Sequence, residues 1–145
     1  MQANISNNSF LKTASLNGPR SKGVREQAIE NGALIDVTGA AVPVGFTIPV
    51  GMTRRVWNEM VVWTSEDSRR QVPQDMTARL WNVIWTLRCH SQVKRHKPTR
   101  ELMFYVHCVP WDGQSRLPRA IPLKAEIQRG DVGEAVITIM MPDEE

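Results

Sequence analysis

Around Pro98 the hydrophobic period of this chain changes, and that change constrains the fold more than any other feature. Upstream, apolar residues recur every three to four positions. In "MTRRVWNEMVVW", Val56, Met60 and Trp63 share one helical stripe, which Trp57 and Val61 widen. In "DMTARLWNVIWTLRCHSQVKRH", Leu80, Ile84, Leu87 and Ser91 share a second stripe, and Trp81 and Trp85 extend it at i,i+4 spacing. Both segments are predicted helices, with Thr53 and Asp75 as their N-caps. The tryptophans of these segments are expected in the core.

Downstream of Pro98 the pattern is that of strands. "ELMFYVHCVP" from Glu101 is one. In "RAIPLKAEIQR" from Arg119, Ile121, Leu123, Ala125 and Ile127 face one way, with Pro122, Lys124, Glu126 and Gln128 opposite. Pro122 has no N–H, which places it at an edge or a bulge. "AVITIMMP" from Ala135 is apolar enough for a central strand. "DGQSRLP" and "RGDVGE" supply the turns between them, and three successive strands suggest an antiparallel meander. Before the first long helix, residues 21–31 suggest a short helix capped by Ser21 and closed by Gly32. "ALIDV" suggests a short strand, Thr38 a weak helical turn, and "FTIPV" an extended segment.

Helices first and strands later predict an α+β domain, with two main helices packed on one face of a small antiparallel sheet. Residues 1–22 are rich in Asn, Ser, Gly and Lys with isolated apolar residues, so a flexible arm is expected there. The domain is expected over 23–145. No apolar run is long enough to span a bilayer and residues 1–23 lack a signal-peptide core, so a cytoplasmic protein with no membrane partner is expected.

Charge is uneven. Of 18 Lys and Arg, three lie in residues 1–22, which hold no acid; the remainder balances 15 acids. Residues 88–100 hold Arg88, Lys94, Arg95, Lys97 and Arg100 and no acid. Residues 130–145 hold Asp131, Glu134, Asp143, Glu144 and Glu145 and no base. Such a division marks either a basic contact surface or two segments that neutralise each other across the fold.

Three groups of residues invite a chemical reading. The first, "WTSEDSRRQ" over 63–71, places Glu66 and Asp67 beside Arg69 and Arg70. Paired carboxylates suit acid–base work, and arginines bind phosphate. The bland reading is a polar elbow between helices, capped by Ser65. The second is Cys89–His90 with His107–Cys108. Neighbours on a helix diverge by about 100° and neighbours on a strand face opposite ways, so the four cannot converge on zinc; a buried Cys and a satisfied His are expected. The third is the basic run 88–100 after an aromatic-rich helix, which suits a phosphate backbone or a solvated helix end. Trp111, beside Asp112 and Gly113, is the expected exposed aromatic and an anchor for a protein partner. No phosphate-binding glycine loop, nucleophile elbow or reactive-cysteine signature is present, so no cofactor is called for.

The runs "AIENGALIDV", "PVGMTRRVWNEMVVWTSEDSRRQ", "DMTARLWNVIW" and "EAVITIMMPDEE" resemble a small bacterial family of unknown function carried on plasmids, phages and integrative elements. The resemblance spans about residues 25–145. Its most specific parts are W-T-x-E-D-S-R-R-Q at Trp63–Gln71 and I-T-I-M-x-P at Ile137–Pro142. It implies no catalytic residue, cofactor or substrate. Relatives lack Cys and His at the positions of Cys89, His90, His107 and Cys108, which argues further against a metal. It does imply an accessory gene of mobile DNA, a class that often binds host machinery, including defence systems. The expected function is therefore non-enzymatic binding of a host protein or ribonucleoprotein complex, or of nucleic acid, through Arg69, Arg70, Arg88, Lys94, Arg95, Lys97, Arg100 and Trp111. The alternative is a small metal-dependent hydrolase or nuclease using Glu66, Asp67 and Asp75. The oligomeric state is not predicted.

Overall fold

The computed structural model describes residues 22–93 and 100–145. The arm expected over 1–22 therefore lies, save for Lys22, outside the described residues, as do Ser21, Lys94, Arg95 and Lys97. In chain order the elements are α1 (Val24–Glu30), β1 (Leu34–Asp36), α2 (Thr38–Ala41), which runs into a 3-10 turn (Val42–Val44), and β2 (Val50–Thr53). Next come α3 (Arg54–Val56, continued as a π turn, Trp57–Val61), α4 (Ser65–Arg70) and α5 (Met76–Val93). Strands β3 (Glu101–Cys108), β4 (Arg119–Arg129) and β5 (Ala135–Met140) close the order.

The five strands form one sheet in the order β1-β2-β5-β4-β3. The meander of the last three is antiparallel throughout, as the turn spacing predicts. The sheet as a whole is mixed, which corrects the expectation of an antiparallel one: β5 also pairs β2 in parallel, with Val50 opposite Ile137 and Met52 opposite Ile139. The physical reason is burial. Val136, Thr138, Ile139 and Met140 are all buried, so β5 needs a neighbour on each side. β4 supplies one, and the short strand from the N-terminal half supplies the other. Pro122 sits opposite Tyr105 of β3, in the part of β4 that β5 does not reach, because β5 pairing stops at Lys124. Its missing N–H therefore falls where only one neighbour is present.

The core joins Val56, Met60 and Val61 of α3 to Val83, Ile84 and Leu87 of α5 and to Val50, Met52, Phe104, Val106, Leu123 and Ile139 of the sheet. Strand alternation sends Thr138 to the face opposite Ile139. There the Arg25 Nη1 of α1 donates to the Thr138 hydroxyl at 3.5 Å. Helix α1 has no cap of its own. Its first-turn amides at Arg25 and Glu26 donate to the two carboxylate oxygens of Asp131 at 2.9 Å each, from the turn between β4 and β5. A side chain over 100 residues away thus does the work expected of a local serine. Gly32, at φ +83°, follows the helix as expected.

Candidate nucleic-acid interface

The run Trp63–Gln71 is a structural joint, and each of its ends is pinned. Helix α4 opens on a capping box: the Thr64 hydroxyl accepts from the Asp67 amide at 3.1 Å, and the Asp67 carboxylate accepts from the Thr64 amide at 2.8 Å. The cap is Thr64, not the expected Ser65. The Thr64 amide holds the buried Asp67 carboxyl below its usual range; burial opposes this, and the Thr64 hydroxyl, the Trp111 indole and the Arg70 charge add to it. Glu66 pairs with Arg69 and, at 3.7 Å, with Arg70. Asp75 accepts from the Ala78 amide at 2.8 Å and caps α5, as its position predicts. The three carboxylates of the hydrolase alternative thus hold helix ends or arginines. Among the described residues no group of three or more His, Cys, Asp or Glu could hold a metal.

Gln71 is 2% exposed and reaches the loop after β3. Its Nε2 donates to the Pro110 carbonyl at 2.8 Å, the Ser115 carbonyl at 2.7 Å and Asp112 at 3.2 Å. Its Oε1 accepts from the Gly113 amide at 3.1 Å. Gly113 needs its φ of +81° to present that amide. Asp112 tightens the loop from outside by accepting from the Gln114 and Ser115 amides and the Ser115 hydroxyl, and these bonds pull its pKa down to about 2. Trp111 rides on this loop and is exposed, as expected. With Arg54, Asn58 and Glu59 it lines a cleft of about 740 Å³.

Helix α5 carries the larger departure. Its inward side is Arg79, Val83, Ile84 and Leu87. Arg79 is 3% exposed and lies 4.4 Å above the Trp63 ring. It donates to Gln74 at 3.1 Å and to the Val109 and Glu59 carbonyls at 3.0 and 3.3 Å. Burial lowers its pKa from the usual value and raises that of the neighbouring Cys108 thiol. Trp81 and Trp85, expected in the core, face outward at 53% and 44% exposure. Their rings stack with centroids 5.5 Å apart and planes within 7°. Either flank of the Leu80–Ile84–Leu87 stripe could have turned inward. The Arg79–Val83 flank did, because only that rotation lets the Arg79 fork reach two carbonyls and the face of Trp63.

The outward pair sits in an unusual stretch: residues 76–100 contain no Asp or Glu. Arg88, half-buried, donates its Nε to the Val44 carbonyl at 3.2 Å, and Arg100 is exposed at the start of β3. Comparison with protein-family models, curated proteins and solved structures yields no match.

Not all the expected binding residues meet. Arg70 and Trp111 gather around the Asp67 carboxylate, with Arg69 beside Arg70 on α4. Arg100 lies at the other end of β3, about 25 Å along the strand. Several acids of the 130–145 segment are engaged elsewhere in the fold. Asp131 caps α1, Asp143 pairs with Arg55 at 2.8 Å, and Glu144 accepts from the Thr53 hydroxyl at 2.8 Å and the Met141 amide at 2.7 Å. Cys89 is exposed and Cys108 buried. The His90 Nδ1 lies 3.1 Å from the Thr86 carbonyl, and His107 is exposed. Sequence reasoning missed Gln71 and Arg79. Gln71 left no signal in the pattern, whereas Arg79, in phase with Val83 on a helix rich in Trp, left a weak one.

Proposed function

We propose that this chain is a non-enzymatic accessory protein of a bacterial mobile element or phage, acting in the cytoplasm by binding the nucleic acid of a host ribonucleoprotein complex. Host defence complexes are the class of target that such a setting points to. The mobile-element setting rests on the resemblance at Trp63–Gln71 and Ile137–Pro142. The binding mode rests on one observation: the stretch 76–100 carries Arg88, Lys94, Arg95, Lys97 and Arg100 without an acid. In this reading α3 and α5 cover one face of the sheet together, and the outer side of α5 remains for the ligand. Arg69, Arg70 and Trp111 form a second contact region, suited to the protein part of the complex. The employment of Glu66, Asp67 and Asp75 in capping and ion pairs supports binding over hydrolysis.

Binding of fluorescent oligonucleotides by the full chain across a salt series tests this. A surface that neutralises phosphates loses affinity linearly on a log–log plot, with a slope of about 0.7 per phosphate for single strands. Five contacts give a slope of roughly 3.5. Replacing Arg88, Lys94, Arg95, Lys97 and Arg100 together with Gln abolishes it. Absence of binding at low salt, or binding indifferent to salt, overturns the proposal.

A further inference from the structure

We infer that the Trp81–Trp85 pair is a stacking platform for unpaired nucleobases, so that the chain selects single-stranded over duplex nucleic acid. The inference rests on the nucleic-acid reading above and adds to it the form of nucleic acid that is bound.

The first argument is exposure. Two indoles stand 53% and 44% exposed on a helix whose opposite side is packed. Leaving that much aromatic area in water forgoes burial that the Ile84 stripe could have provided. The second is rigidity. The rings hold each other nearly parallel at 5.5 Å. Little ordering is therefore left to lose when a base stacks on an outer indole face. The third is charge. Around the helix Arg88 lies only about 20° from Trp81, two turns further on. Arg100, exposed at the start of β3, adds a second cation. Aromatic faces beside a cationic track are what single strands require: any base offers a π face, and the backbone follows the charge. A duplex offers the phosphates but keeps its bases stacked on one another.

A second copy of this chain is the competing occupant. A symmetric contact would set the same patch against itself. It would set Arg88 of one copy near Arg88 of the other with no acid on either α5, so like charges disfavour it.

The test compares the full chain with three variants: Trp81→Leu/Trp85→Leu, Trp81→Phe/Trp85→Phe and Arg88→Gln/Arg100→Gln. The probes are an oligothymidylate and a mixed-sequence duplex of equal length, read by anisotropy at low salt, with indole fluorescence as a second readout. The wild type is expected to prefer the single strand about tenfold or more. The Leu variant loses roughly ten- to hundredfold in single-strand affinity and keeps its duplex affinity and salt slope. The Phe variant retains most of the binding. The Gln variant weakens both probes. Oligothymidylate quenches indole emission in the wild type and not in the Leu variant. Equal loss on both probes, no loss at all, or no rescue by Phe overturns the platform and leaves the charge reading standing. So does a Leu variant that sediments as a smaller species with unchanged affinity, since the pair is then a contact between copies. A wild type that binds neither probe overturns both proposals.

Discussion

Gln71 shows how much one side chain can hold. Its amide joins the end of α4 to a loop some forty residues on, sharing two N–H donors among three oxygens and accepting from Gly113. Gln71→Leu keeps the volume and strands the Pro110 and Ser115 carbonyls and the Gly113 amide. The expected cost is about 2–3 kcal/mol, since each unsatisfied buried group costs about 1–3 kcal/mol and part of the loop can rehydrate. Urea unfolding measures it. Asp112 gives a pH prediction. Its pKa in the fold is about 2, below the ordinary value of 3.8. A depressed carboxylate contributes stability that is complete above the unfolded pKa and is lost as pH falls through the folded one. The loop therefore weakens between about pH 4 and pH 2, and Asp112→Asn flattens that part of the stability profile. Residue roles such as these were poorly legible in the sequence. The polar run 63–71 was readable as an elbow, because two apolar periods flank it, but the partners of Gln71 are set by tertiary contact.

At the scale of elements, the helix caps Thr53 and Asp75 were legible, because capping is local chemistry. The α1 cap was not, because Asp131 comes from the turn between β4 and β5, over 100 residues further on. Asp131→Ala frees the amides of Arg25 and Glu26. It is expected to cost about 1 kcal/mol and to speed hydrogen exchange in α1 while leaving that of β5 unchanged. Uniform acceleration across the protein would contradict this division. Helix α3 also hid a feature from its pattern. Its second half winds as a π turn, with the Val62 amide donating to the Trp57 carbonyl at 3.0 Å. That widening leaves the Glu59 carbonyl placed to receive Arg79. In α5 the stripe was legible and its flank was not. Hydropathy favours Trp81 and Trp85 inside, but the hydrogen bonds of Arg79 decide the rotation.

At the scale of the molecule, the α+β class and the terminal meander followed from the change of period at Pro98. The parallel pair did not follow from it: pairing β5 with β2 joins segments nearly ninety residues apart, and no local signal specifies such a partner. Among the described residues no helix is long and apolar enough to cross a membrane. Of the acidic segment, Asp131, Asp143 and Glu144 are engaged with α1, Arg55 and Thr53. That is why salt-dependent binding is the whole-molecule test. The sheet order also governs how the protein is made. β5 separates β2 from β4 and is translated after both. While the ribosome is still delivering the turn before Ala135, β2 and β4 lack the strand that joins them. The sheet is joined by one late insertion, so its assembly waits for β5 to emerge.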